Sequence, residues 1–407
     1  MEVLPIIYLA YMFVAIYFLS FFMTLFFRNR KFLFDSPTTK KKYSISVLVP
    51  AYNEGKTISD TIGAIFDSDY PVKEIIVLND GSQDNTEKVV GKLMEKYSRL
   101  KILNKKNSGK ADSLNQGIKI AKGDLIAVVD ADSYPSKDAF GKLVGYFDDE
   151  KVGVATCSIV PKNKNNFLEK MQVIEYNVIA FTRKLLGFVD GIYVTPGPLA
   201  LYRKSALIKI GGFDKENMTE DIEATWHLVK EGYRREMNLS GKVTTTVPNK
   251  YKAWFNQRRR WSMGGLQCIL KYKKNFFKKG MLGMFILPFF VLQLSLGVVG
   301  MGIFIYLMTR RILDKYIFIT YSLNLKSPLV TSSALHITPS VLNYLGIVLF
   351  IIGGLFTILA LYIMKESILN KQNIFKILFY FILYLPVYPF ISINAIYHYI
   401  KGTRKWR

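Results

Sequence analysis

A chain of 407 residues has room for one sizeable soluble domain and a membrane region. Half of its residues are hydrophobic and 21% are charged, which excludes both a purely soluble domain and a bare bundle of membrane helices. The formal net charge of +24 raises the question of a nucleic-acid partner; none is expected, because the basic residues crowd beside apolar segments and no recognisable nucleic-acid module is present.

Val3 to Phe27 is an uncharged apolar run of about 25 residues, long enough to cross a hydrocarbon core, and predicts an N-terminal transmembrane helix over 1–30. It makes a poor cleavable signal peptide, since no positive segment precedes it and the apolar stretch is too long. Arg28, Arg30, Lys31, Lys40, Lys41 and Lys42 follow it, so the positive-inside rule places residue 28 onward on the cytoplasmic face. The two cysteines, Cys157 and Cys268, are far apart, and His227, His336 and His398 are scattered. Neither a disulfide framework nor a zinc site is implied.

Residues 43–250 read as a cytoplasmic α/β domain. Ser44 to Pro50, Glu74 to Leu78, Leu100 to Leu103 and Leu125 to Val129 are short runs rich in Val, Ile and Leu. Helical patterns near Gly55 to Phe66, Asn85 to Tyr97 and Ser108 to Ala121 alternate with them. That alternation predicts a mostly parallel sheet covered on both faces, with ligands beyond the carboxyl ends of the strands. Residues 251–280, basic and carrying Trp254, Phe255 and Trp261, predict an interfacial amphipathic segment.

Residues 281–407 form a C-terminal membrane region of about three helices: Met281 to Met308, Val341 to Met364, and Ile374 to Ile400 with Pro386 and Pro389 inside it. Residues 309–340 read as an irregular loop. Four full crossings from an outside N-terminus leave the basic tail 401–407 outside, against the positive-inside rule. Either the Pro-broken last segment is re-entrant or the tail is an exception.

Polar residues accumulate at the strand ends. Tyr52-Asn53-Glu54 follows the first strand and Asn79-Asp80-Gly81 ends the second; both suit a nucleoside and both suit an ordinary helix cap. Gly109-Lys110 opens a helix where an anion can dock, without the spacing of a P-loop or a dinucleotide fingerprint. Asp130-Ala131-Asp132 puts two carboxylates one residue apart, on one side of an extended strand, and such a pair needs a cation. Mg²⁺ or Mn²⁺ shared with a substrate diphosphate meets that need. Thr219-Glu220-Asp221 opens another helix, where a carboxylate can serve as a general base. Arg258, Arg259 and Arg260 suit bidentate capture of a diphosphate, and Trp261 offers a flat face to a sugar ring.

In order and spacing, Asn79-Asp80-Gly81, Gly109-Lys110-Ala111, Asp130-Ala131-Asp132, Thr219-Glu220-Asp221 and Gln257-x-x-Arg260-Trp261 resemble the processive branch of glycosyltransferase family 2, the cellulose, chitin, hyaluronan and poly-N-acetylglucosamine synthases. The resemblance covers roughly residues 44–265 and the general plan of flanking membrane helices. It implies a GT-A-like (Rossmann-like) nucleotide-sugar-binding domain and an inverting transfer from a UDP-sugar, UDP-N-acetylglucosamine the leading donor, to a glycan or lipid-linked acceptor. It also implies that Tyr52, Glu54, Asp80, Lys110 and Asp130 bind the nucleotide-sugar and that Asp132 holds the metal. Asp221, beside Glu220, is then the general base. Gln257, Arg258 and Arg260 face the diphosphate, and Trp261, Gly197 and Pro198 lie on the acceptor side. Asn79 departs from the Asp of many members, and the small membrane portion leaves room for a small partner subunit. The alternatives are transfer of one sugar to a lipid or short acceptor, and a catalytically silent scaffold of an export complex.

Overall fold

The computed structural model describes residues 3–39, 41–325, 341–365 and 371–402. Eight strands, β1 (Ile45–Ala51), β2 (Glu74–Asn79), β3 (Leu100–Asn104), β4 (Leu125–Val128), β5 (Ser133–Pro135), β6 (Val152–Pro161), β7 (Ala200–Arg203) and β8 (Arg234–Thr245), form one sheet in the order β3-β2-β1-β4-β7-β6-β8-β5. The first half follows the parallel plan: β1 lies between β2 and β4, and β2 pairs with β3, all in parallel. Beyond β4 the sheet is mixed, because β7 runs antiparallel between β4 and β6, while β6 and β8 are again parallel.

The apolar run of β1 is continuous because both of its faces are buried. Ile45, Val47, Val49 and Ala51 pack with Ile58, Ile62 and Ile65 of the helix Ile58–Phe66, while Leu48 packs on the other face with Leu114 and Ile118 of the helix Lys110–Ile120. With helices on both faces, the carboxyl ends of β1, β2 and β4 are left to loops, and the polar segments sit there.

The helices in chain order are α1 (Val3–Asn29), α2 (Ile58–Phe66), α3 (Thr86–Lys96), α4 (Lys110–Ile120), α5 (Ala139–Val144), α6 (Phe167–Gly187), α7 (Lys204–Lys209), α8 (Glu220–Lys230), α9 (Tyr251–Tyr272), α10 (Leu287–Asn324), α11 (Val341–Ile363), α12 (Lys371–Phe379) and α13 (Val387–Ile400). Two carry the join between sheet and membrane region. α6 starts with a capping box, the Glu169 amide donating to Asn166 Oδ1 at 2.8 Å and the Asn166 amide donating to Glu169 Oε2 at 3.1 Å. Its Phe181 and Leu185 pack with Leu25 and Phe26 of α1 and with Phe356 and Ala360 of α11. α9 occupies the segment expected to lie on the membrane surface; its Trp254, Met263 and Cys268 are buried, and it packs against α8 and α13.

Among the described residues four helical stretches are long and apolar enough to cross a membrane: Pro5–Phe32, Leu282–Asn324, Tyr344–Ile363 and Ile374–Ile400. The second is longer than its composition predicts. Instead of ending near Met308 it runs for 43 residues from Leu282 to Asn324, so residues 309–324 are helical rather than an irregular loop. At 1.5 Å per residue this is about 64 Å, roughly twice a hydrocarbon core. The rest of that expected loop, and the tail beyond residue 402, lie outside the described residues.

Candidate active site

The strand ends of β1, β2 and β4, the start of α8, the middle of α9 and the inward face of α6 enclose one cavity of ≈ 1400 Å³. Tyr52, Glu54, Asp80, Lys110, Asp130, Asp132, Gly197, Pro198, Glu220, Asp221, Gln257, Arg260 and Trp261 all line it. Carboxylates separated by up to 167 positions in sequence thus share one space, Glu54 and Asp221 at the extremes.

Each chemical group has a local reason for its position. Asp80, at the end of β2, accepts hydrogen bonds from the backbone N–H of Ser108 (2.9 Å) and Gly109 (2.8 Å), and pairs with Lys105. It holds the loop that starts α4. Gly109, at φ +95°, takes a backbone conformation that side chains rarely tolerate. The next residue, Lys110, places its ammonium 2.6 Å from Asp130 and 2.9 Å from Glu220, tying the end of β4 to the start of α8. Burial disfavours its charge, but Asp130, Glu220 and Asp221 outweigh that and raise its pKa above the usual range. Gly197 covers this pair: a Cβ there would stand 2.8 Å from Lys110 Nζ and 2.9 Å from Asp130 Oδ2. Asn79 donates to Asn104 Oδ1 at 2.8 Å, which joins the ends of β2 and β3 and is a bond an ionised Asp cannot donate.

The acids differ in electrostatic state. Burial raises the Asp132 carboxyl to about 6, with Asp130 and Glu54 adding to the effect. Burial also raises Asp221 to about 6, and the neighbouring Glu220 contributes. Glu220 moves the other way: burial opposes ionisation, but Lys110 lowers its pKa overall. Adjacent carboxylates driven in opposite directions are the pattern of an ion-pair anchor beside a base. The Asp130-Ala131-Asp132 segment is a turn after β4 rather than extended strand, and both carboxylates still reach the cavity.

A divalent ion fits this donor set only with help. Among the described residues no group of three acidic, imidazole or thiol side chains is placed to hold an ion alone. Asp132, in a surplus of negative charge, is suited to supply one carboxylate to a Mg²⁺ or Mn²⁺ that takes its other ligands from a diphosphate and water.

Arg258, expected beside the diphosphate, does not line the cavity. Its guanidinium is buried and donates to Glu175 from Nε (2.9 Å) and Nη2 (2.6 Å). Tyr384 donates to the same carboxylate at 2.6 Å, and Tyr388 is bonded to it as well. The same guanidinium lies 4.1 Å from the ring centroid of Trp261, so it supports that ring from behind. Arg259 contacts His398 at 3.2 Å. Helix geometry accounts for the division: at 100° per residue, 257, 260 and 261 share a face and 258 does not.

Two residues of α6 carry no sequence motif yet shape the site. One is Glu175. The other is Arg183, which shares a cavity-lining face with Tyr176, Ile179 and Ala180 at spacings of three and four. The signal present in the sequence was a charged residue recurring on an otherwise apolar helical face.

Comparisons with known proteins agree with this geometry. Residues 46–211 match the family model described as Glycosyl transferase family 2, and that segment is a domain of this family. A poly-beta-1,6-N-acetyl-D-glucosamine synthase of Staphylococcus aureus (strain COL) is 34% identical over 229 residues, 56% of each chain. The synthase of the same name from Staphylococcus epidermidis is 32% identical over 247 residues, 60% of each chain. The similarity spans little more than half the length of these relatives. Among solved structures, a mannosyltransferase from Pyrobaculum calidifontis in complex with GDP-Man and Mn2+ superposes with a TM-score of 0.62 at 18% identity, covering 98% of this chain and 100% of that one. The chain has the GT-A-like fold, and the likeness extends over the membrane helices.

Proposed function

We propose that this family 2 domain makes the chain an inverting membrane glycosyltransferase that moves a sugar from a UDP-sugar to a growing polysaccharide at the cytoplasmic face. The observation that carries the reading is the convergence of Asp132, Asp221 and Arg260 on one cavity that runs from the strand ends to the membrane helices. UDP-N-acetylglucosamine is the donor that the similarity to the staphylococcal synthases favours.

In this reading Asp80 and Lys110 order the nucleotide end, and Gln257 and Arg260 face the diphosphate. Asp132 holds the cation, which when bound offsets charge on the leaving diphosphate. Asp221 takes the proton from the attacking sugar hydroxyl, while Glu220 stays ionised against Lys110. Trp261, backed by Arg258, presents its ring to the acceptor sugar.

The test uses membranes holding the full chain, UDP-N-acetylglucosamine and Mn²⁺. Asp221→Asn is expected to lower UDP release by about 10²–10⁴-fold, the usual worth of a general base. Equal release by wild type and variant would remove Asp221 from the chemistry. Product length on a sizing column checks processivity, since a single added sugar would leave transfer to a lipid or short acceptor as the activity.

A further inference from the structure

Arg183 is 8% exposed, and its Nε has no hydrogen-bond partner. It forms no ion pair among the described residues, in contrast to Arg258 and Arg235, whose buried guanidinium groups face Glu175 and Asp190. A buried guanidinium held in no ion pair and with an unbonded N–H is costly in any fold, and native proteins keep such groups where a ligand completes them. Arg183 lines the cavity. Ile179 and Ala180 lie one turn before it on α6, and Tyr193, which acts electrostatically on the guanidinium, has its ring centroid 5.4 Å from that of Phe290 of α10; Gln293 and Leu294 line the same cavity. That surround is mostly apolar, and Phe290 and Leu294 belong to a stretch long and apolar enough to span a bilayer. Asp221 lies near enough to act electrostatically on the guanidinium.

We infer that Arg183 binds a phosphate group carried by an amphiphilic acceptor, the phosphate held by the guanidinium fork and the apolar part lying between α6 and α10. The planar fork matches phosphate oxygens two at a time, and the apolar walls suit the chain that follows the headgroup. The donor diphosphate is assigned to Arg260, Gln257 and Lys110, which leaves Arg183 unused by the donor. The inference rests on the glycosyltransferase reading and specifies its acceptor as a phosphate-bearing lipid or lipid-linked glycan.

The test is a binding measurement, independent of turnover. The full chain in an uncharged detergent is titrated calorimetrically with dodecyl phosphate, inorganic phosphate and uncharged dodecyl glucoside, and with UDP in parallel. Wild type is expected to bind dodecyl phosphate at least about tenfold more tightly than either of the other two probes. Arg183→Gln is expected to lose about tenfold or more of that affinity and to keep its affinity for UDP. Arg183→Lys, which retains a charge without the fork, is expected to fall between, and it carries the test if the Gln variant does not fold. Unchanged dodecyl phosphate affinity in a variant that still binds UDP would overturn the site. Inorganic phosphate binding as tightly as dodecyl phosphate would overturn the amphiphile. Wild type that binds dodecyl phosphate but releases no UDP from a UDP-sugar leaves this site standing and removes the transferase reading instead.

Discussion

The two ends of the cavity are built on opposite principles. At the strand ends, loops bring Glu54, Asp130, Asp132, Glu220 and Asp221 together with one lysine, and burial, reinforced by the neighbouring negative charge, raises the pKa values of Glu54, Asp132 and Asp221. At the membrane end, helices supply apolar walls, and the charge behind Trp261 is neutralised inside a closed clamp of Glu175, Arg258, Tyr384 and Tyr388. The first end is electrostatically incomplete, and in the proposed reading a cation and a nucleotide complete it. The clamp is complete without any ligand, which marks it as a support for the site rather than a part of the reaction.

The contrast can be broken most forcefully at the clamp. Glu175→Gln leaves Arg258 buried without its counter-ion and is expected to destabilise the protein by about 3–5 kcal/mol. Thermal unfolding of the solubilised chain measures this, and Glu175→Gln combined with Arg258→Met should recover much of the loss because no charge is then stranded. If the single variant unfolds like wild type, the clamp is not structural. At the open end, Asp132→Asn should leave the unfolding temperature nearly unchanged and lower transfer by about 10²–10³-fold through weaker metal and diphosphate binding. A Mn²⁺ titration of the rate checks it, the half-saturating concentration rising in the variant. A smaller effect distinguishes Asp221 from Asp132. Asp221 works as a base only when ionised, so with its pKa near 6 the rate should fall about tenfold per unit of pH below that value and level off above it. The profile is measured at saturating Mn²⁺, which keeps Asp132 ionised, and a flat rate from pH 5 to 8 would contradict the assignment.

The strand ends were readable from sequence because chemistry and periodicity coincide there. The expected first strand, Ser44 to Pro50, differs from β1 by one residue at each end, and Glu74 to Leu78 by one residue from β2. The turn at Asp130–Asp132 was not readable, since Leu125 to Val129 is apolar up to the aspartate and nothing in its pattern marks where pairing with β7 stops. The phase of α9 was readable but concealed by three consecutive arginines, whose shared chemistry hides their different directions. Glu175 and Arg183 were the least legible. Both are charges in an amphipathic helix with no motif around them; the partners of Glu175 come from α9 and the membrane region, dozens to hundreds of positions away, and only the tertiary arrangement puts Arg183 on the cavity.

Gly197 places a limit on how this site can change. With a Cβ at 2.8 Å from Lys110 Nζ and 2.9 Å from Asp130 Oδ2, any larger residue would displace the ion pair beneath it, so the ceiling there is main chain. The clearance over that lysine is therefore tied to the ion pair: a side chain at 197 enters only by moving the ends of Lys110 and Asp130. In the proposed reading, discrimination between one sugar and another is tuned with less disturbance of that ion pair from other walls, such as those supplied by α6, α9 and the segment around Pro196 and Pro198.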